Sequence, residues 1–125
     1  METITVDQLK EKILGSNPVN IIDVRTDEET AMGTIPGAKT IPMDQIADNL
    51  NQFNKNETYY IVCAAGVRSE KVANYLENEG IHAVNVEGGM QAWGDEGMIY
   101  RYLNNNTEKQ RSYDSSLFFY NLTYF

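Results

Sequence analysis

The chain contains little cysteine, little histidine and no signal-peptide pattern. One cysteine and one histidine occur in 125 residues. A single cysteine excludes an internal disulfide and a cysteine-rich metal site, and we expect neither a metal ion nor a cofactor. An unpaired thiol is typical of a reducing compartment. Residues 1–3 lack the basic start and apolar run of a signal peptide. We therefore expect a cytoplasmic protein.

Basic residues are also scarce. Lysine and arginine together number 10 against 18 aspartates and glutamates, which gives a formal net charge of −8. A chain this acidic repels phosphate backbones and anionic lipid headgroups. No stretch of the sequence approaches the ~20 apolar residues that a membrane-spanning helix requires. Neither a nucleic acid nor a membrane is therefore predicted as a partner.

Residues 59–69 combine features that are typical of an active site. An apolar, β-branched and aromatic run predicts a buried strand that ends at Cys63, and helical periodicity begins at Ser69 after a loop of small residues. Such a loop turns its N–H groups inward with a helix dipole behind them, which favours anions. A lone cysteine after a buried strand is more often a small core residue. In this loop, however, a thiol is pushed toward thiolate, so Cys63 is the candidate nucleophile.

Strand and helix patterns alternate along the chain. Thr5 and Gln8 have the spacing of a helix-capping box, Thr26 can cap a short helix, and Gly80 stands where a helix C-terminal glycine is expected. Residues 44–50 also have a helical pattern. The strands are predicted at residues 3–4, 19–24, 40–42, 59–62 and 83–86. Alternation of this kind predicts an α/β fold with a parallel sheet.

Four motifs together resemble those of the single-domain rhodanese-like sulfurtransferases. They are residues 21–25 (IIDVR), residues 28–38 (EETAMGTIPGA), the loop 63–69 (CAAGVRS) and residues 85–93 (NVEGGMQAW). They occur in the family's order and spacing, over approximately residues 3 to 96. The resemblance implies a three-layer α/β fold, in which a central parallel sheet of about five short strands has helices on both faces.

The last part of the chain has no counterpart in this pattern. Residues 100–111 are polar without clear amphipathicity, and residues 117–125 are aromatic-rich, uncharged and β-prone. We therefore divide the chain into a rhodanese-like domain, residues 1–99, and a C-terminal tail, residues 100–125. The aromatic end is an aggregation hazard if exposed. The sequence leaves open whether it packs on the domain or pairs chains, and it leaves the oligomeric state open.

The resemblance implies a sulfurtransferase that carries a sulfane sulfur as a persulfide on Cys63. A small-molecule or protein donor supplies the sulfur, and a thiophilic acceptor removes it. Arg68 is expected to pair with a carboxylate at Asp23, Glu28 or Glu29. Backbone amides of the loop are expected to hold the anionic terminal sulfur. The loop residues are Ala64, Ala65, Gly66, Val67, Arg68 and Ser69.

Two further residues are assigned supporting roles. Asp23 ends a predicted parallel strand, where α/β sites gather, so we expect it to brace the loop. Arg25 is interpreted as one half of a charge pair that holds loops together. Gly88, Gly89 and Trp93 are interpreted as a turn and a core anchor without a catalytic role.

The sequence departs from the family pattern at two positions. Thr34 stands where the family usually has histidine, which predicts the loss of a local hydrogen bond rather than of activity. Ala64 stands at a position that is often basic in members proficient with thiosulfate. Without positive charge there, the thiosulfate dianion is predicted to be a poor donor. A protein persulfide or a low-molecular-weight persulfide is therefore favoured.

Two other functions remain as alternatives. Cysteine phosphatases and arsenate reductases of related fold place one more residue between cysteine and arginine than the four found here, residues 64–67. The shorter loop suits one sulfur atom better than a tetrahedral oxyanion that Arg68 would clamp. The second alternative is a catalytically idle rhodanese-like module that binds a partner, which the presence of Cys63 disfavours.

Overall fold

The protein is described by a computed structural model over residues 1–94. Its strands are β1 (Glu2–Ile4), β2 (Asn20–Asp23), β3 (Lys39–Thr40), β4 (Thr58–Val62) and β5 (His82–Val86). They form one sheet in the order β1-β5-β4-β2-β3, and every neighbouring pair is parallel. The predicted α/β fold with a five-stranded parallel sheet is confirmed. The strand that carries Cys63, β4, lies in the centre.

Residues 1–94 contain four α-helices: α1 (Val6–Leu14), α2 (Asp27–Ala31), α3 (Val67–Asn78) and α4 (Gly89–Trp93). The first three connect strands, and α4 follows β5. The capping box predicted at Thr5 begins α1, and the cap predicted at Thr26 begins α2, where it is also a capping box. The helix α3 ends in a Schellman-type pattern, since Gly80 N–H donates to the Glu77 carbonyl and Ile81 N–H to the Leu76 carbonyl. Gly80 has φ +83°, the left-handed value that this motif favours in glycine.

The segment predicted to be helical, residues 44–50, forms 3₁₀ helices rather than an α-helix. The segment forms two short 3₁₀ helices, Met43–Gln45 and Ala47–Gln52, with a break in helical geometry at Asn49. The amide side chain of Asn49 donates to the Gln45 carbonyl at 2.7 Å, and its backbone N–H donates to the Ile46 carbonyl instead. The side chain thus takes the carbonyl that an α-helical N–H would use, which is how asparagine disrupts helix interiors.

The core consists of two apolar clusters, one on each face of the sheet. Successive side chains of a strand point to opposite faces, so Ile61 belongs to one cluster and Val62 to the other. The first cluster includes Leu76 of α3, and the second includes Leu9 of α1 and Trp93 of α4. Helices therefore cover both faces, as the predicted three-layer fold requires, and α3 is placed directly against β4 and β5.

Within residues 1–94, no helix is long and apolar enough to cross a membrane. The tail at residues 100–125, with its aromatic end, lies outside the described residues. The domain boundary at residue 99 therefore stays a prediction.

Candidate active site

Cys63 lies at the carboxyl end of the central strand, which is where sites gather in open α/β sheets. It follows Val62, the last residue of β4, and only 1% of its surface is exposed. The neighbouring strand β2 ends beside it at Asp23, whose Cα pairs with that of Val62. The sheet thus places Cys63 and Asp23 together at the carboxyl end of its strands, as the sequence predicted.

The loop after Cys63 turns back so that α3 starts over the sulfur. Gly66 is the N-cap residue of α3 and has φ +103°, a conformation that residues with a side chain rarely adopt. Its N–H donates to the Cys63 Sγ at 3.1 Å, and the Ser69 N–H donates to the same atom at 3.3 Å. As a glycine, Gly66 has no side chain that could accept a hydrogen bond from the first turn of α3. The cysteine sulfur therefore accepts the first-turn amide that a capping oxygen would ordinarily accept.

The same contacts favour the thiolate form of Cys63. Burial raises the pKa of the Cys63 thiol, but hydrogen bonds from the Ser69 hydroxyl and from the amides of Ser69, Gly66 and Ala65 outweigh it and hold that pKa below its ordinary value. The Ser69 Oγ lies 3.3 Å from Sγ, and Ser69 is fully buried. Three of the predicted loop amides thus act on the sulfur, and one hydroxyl adds to them.

Arg68 pairs with Glu29, one of the three carboxylates predicted for it. Its Nη1 and Nη2 donate to Oε1 and Oε2 of Glu29 at 2.8 and 3.0 Å, a bidentate arrangement. The hydrogen bond from Arg68 is the main reason that the pKa of Glu29 falls from 4.5 to about 2. The same pair raises the pKa of Arg68, with smaller contributions from the charges of Cys63 and Asp23. Arg68 therefore lies within electrostatic reach of the sulfur.

Asp23 and Arg25 form a buried charge pair with each other, beside the loop. Arg25 donates to both carboxylate oxygens of Asp23 and to the Gly33 carbonyl at 2.7 Å, so the pair connects the end of β2 to the segment before β3. The Thr34 hydroxyl donates to Asp23 Oδ2 at 2.8 Å. The loss of a hydrogen bond predicted for Thr34 is wrong, because the shorter threonine side chain reaches the carboxylate. The side-chain hydrogen bonds of Asp23 run to Arg25 and Thr34 and not to the loop, so the bracing role of Asp23 stays a prediction.

The brace on the loop comes from α4, which sequence reasoning missed. The amides of Met90 and Gln91 donate to the carbonyls of Cys63 and Ala64 at 2.8 and 2.9 Å. This approach is close enough that a Cβ on Gly89 would lie 2.7 Å from the Ala64 carbonyl oxygen and closer still to that of Cys63. Gly89 thus has a positioning role as well as forming a turn. The signal in the sequence was the pair of adjacent glycines directly after a strand, which often marks close backbone approach.

Asn85 is a second residue that the sequence interpretation overlooked. Its side chain is buried in β5, and its Nδ2 donates to the Gly66 carbonyl at 3.4 Å. The other side-chain atom, Oδ1, is buried with no hydrogen-bond partner among residues 1–94. A lone amide within an otherwise apolar strand was the available signal. It places a polar group behind the glycine whose own N–H contacts the cysteine sulfur.

His82 lies apart from this site, at the start of β5. Its ring contacts Thr58 at 2.9 Å and Glu2 at 2.8 Å on the two flanking strands, and it is exposed. In residues 1–94, no three histidine, cysteine or carboxylate side chains are grouped so that they could hold a metal ion. The group that the fold presents at the carboxyl end of β4 is a cysteine sulfur among N–H donors.

Comparisons with known proteins agree with this geometry. A family model described as a rhodanese-like domain matches residues 5–96, a span that includes all four motifs. The crystal structure of a rhodanese-like domain protein from Staphylococcus aureus has a TM-score of 0.79 at 71% identity, covering 81% of this chain and 99% of that one.

Two curated relatives are similar over nearly their whole length. The Bacillus subtilis protein YtwF, whose name marks it as a proposed sulfurtransferase, is 43% identical over 96 residues, 77% of this chain and 93% of its own. A protein of Allochromatium vinosum named sulfurtransferase is 32% identical over 96 residues, 76% of this chain and 90% of its own.

Proposed function

The chain belongs to the rhodanese-like family, and from that membership we propose that it is a sulfurtransferase that carries a sulfane sulfur on Cys63. The observation that carries the proposal is the convergence of N–H groups on Sγ. Gly66 and Ser69 donate to the sulfur from the loop and the first turn of α3. Amides fixed in this way stabilise negative charge on sulfur without reorganising, which is the usual source of catalytic electrostatics.

The proposed reaction has two balanced steps. The Cys63 thiolate attacks the outer sulfur of a donor persulfide, a sulfur–sulfur bond forms on Cys63, and the donor's own sulfur–sulfur bond breaks to release a thiolate. A second thiolate then attacks the outer sulfur of the Cys63 persulfide and regenerates the Cys63 thiolate. No electron is gained or lost overall. The donor is a small-molecule or protein persulfide, and the acceptor is a thiophile of either kind.

The test is the mass of the protein after incubation with a sulfane-sulfur donor. We expect the native chain to gain one sulfur atom, which an added thiol then removes. Cys63→Ser is the matched control, because a serine oxygen can accept the same amides and Cys63 is the one cysteine of the chain. Sulfur transfer by Cys63→Ser, or a native chain that never gains sulfur, would overturn the proposal. The second result would leave the idle binding module as the better interpretation.

The phosphatase alternative makes a different prediction. Both terminal nitrogens of Arg68 are engaged by Glu29, so the guanidinium is not free to grip a phosphate. The loop also has only four residues between Cys63 and Arg68. We expect no turnover of an aryl phosphate by the native chain. Steady hydrolysis that Cys63→Ser abolishes would favour the phosphatase function.

A further inference from the structure

Arg68 is the only charged side chain in the loop between Cys63 and Ser69, and it is already neutralised. Glu29 accepts from both of its terminal nitrogens. The same carboxylate is also held by Thr26, because its backbone N–H and its hydroxyl both lie within 3.2 Å of Glu29 Oε1. The capping box of α2 thus fixes the anion that occupies Arg68. The pair is solvent-accessible, with about a third of each side chain exposed (34% and 34%).

We propose that Glu29 is a specificity-determining residue that makes the site select sulfur donors of low negative charge. It acts by cancelling the one positive side chain of the loop, that of Arg68. The inference rests on the proposed function and deepens it by naming the class of donor. Backbone amides then supply the remaining attraction for an anion, and those of Gly66 and Ser69 already donate to the sulfur of Cys63. A dianionic donor approaching this acidic chain meets no uncompensated cation in the loop.

The variant that separates charge from structure is Glu29→Gln. Glutamine serves as well as glutamate in a capping box, so the start of α2 is preserved. Its oxygen can still accept from Thr26 and from one nitrogen of Arg68, while the other nitrogen is released. The matched control is Glu28→Gln, which removes the same charge from the adjacent, exposed position of α2 that Arg68 does not contact. Both variants have the same net charge, so they differ only in the position from which one negative charge has been removed.

The donor pair is thiosulfate and methanethiosulfonate. Both deliver their outer sulfur to a thiolate, and they release sulfite and methanesulfinate respectively. The second is the first with one charged oxygen replaced by methyl, so the two differ by one negative charge. A unit change in the potential at the site acts on two charges in one case and on one in the other.

For Glu29→Gln we expect kcat/KM to rise roughly five- to tenfold with thiosulfate and roughly two- to threefold with methanethiosulfonate at low ionic strength. Glu28→Gln should raise both by less than twofold. The gain should shrink as salt is added. It should also be absent when Glu29→Gln is introduced into an Arg68→Gln background, because Arg68 is the group that the variant releases.

Each outcome has one meaning. The assignment of Glu29 is wrong if Glu29→Gln and Glu28→Gln change kcat/KM for the two donors to the same extent. It is also wrong if the gain in kcat/KM persists in the Arg68→Gln background. Neither result contradicts the sulfurtransferase function. If the native chain transfers sulfur from neither donor nor from a hydropersulfide, the proposed function itself fails. Thermal unfolding of all variants checks that no difference arises from loss of fold.

Discussion

Replacing Gly89 by alanine should damage both stability and activity, because this glycine lets α4 approach the cysteine loop. An added Cβ would lie 2.7 Å from the Ala64 carbonyl oxygen and nearer still to that of Cys63. These are backbone atoms, which cannot rotate away. Gly89 also has φ +53°, which costs a residue with a side chain about 1–2 kcal/mol. The structure can relieve the contact only by moving α4 away from the loop.

That movement has a cost that can be worked from the contacts. It would break or stretch the hydrogen bonds from Met90 and Gln91 to the loop carbonyls, each worth roughly 0.5–1.5 kcal/mol. Together with the conformational cost, we expect a loss of roughly 2–5 kcal/mol for Gly89→Ala. The matched control is Gly37→Ala. Gly37 also has positive φ, +84°, but a Cβ there would meet nothing within 4 Å, so only about 1–2 kcal/mol should be lost.

Urea unfolding measures the difference directly. With the denaturant dependence usual for a small domain, about 1–3 kcal/mol per molar urea, Gly89→Ala should unfold at a midpoint roughly 1 M below that of Gly37→Ala. Sulfur loading of Cys63 should slow on the order of 100-fold in folded Gly89→Ala, since a misplacement of about 1 Å has that effect at a reacting centre. Gly37→Ala should load normally. Equal stability and equal loading in the two variants would refute the positioning role of Gly89.

The other predictions concern the thiolate and the tail. Ser69→Ala should raise the pKa of Cys63 toward its ordinary value, because the Ser69 hydroxyl is the largest of the contacts that lower it. The thiolate fraction then falls at every pH below the new pKa, so the ultraviolet thiolate absorbance and the sulfur-loading rate should both move to higher pH, with Cys63→Ser as the blank and Ser69→Thr as the conservative control. An unshifted titration would mean that the amides alone set the pKa. Deleting residues 101–125 should leave the urea midpoint and sulfur loading unchanged, because the family match ends at residue 96. A large drop in the midpoint would show that the tail completes the core.

Much of the fold was predictable because its signals are local. A helix cap depends on residues close in sequence, so the box at Thr5 and the cap at Thr26 could be predicted from local sequence alone, and both are present. The strands are short apolar runs between polar turns, and their alternation with helices predicts a parallel sheet. Residues 44–50 were predicted to be helical, but the 3₁₀ type of the segment was not predictable, because its backbone depends on a competition for one carbonyl. The side chain of Asn49 wins it, and helical periodicity does not report that outcome.

The candidate site divides in the same way. The sequence by itself determined the strand, the loop of small residues, the helix start and the thiol, because these are contiguous and backbone geometry follows from them. It narrowed the partner of Arg68 to three carboxylates, and only the tertiary structure selected Glu29, 39 residues away. Tertiary structure alone decided that α4 donates hydrogen bonds to the loop and that the Thr34 hydroxyl donates one to the Asp23 carboxylate. Such contacts depend on distances between elements distant in the chain, and no local pattern encodes a distance of that kind.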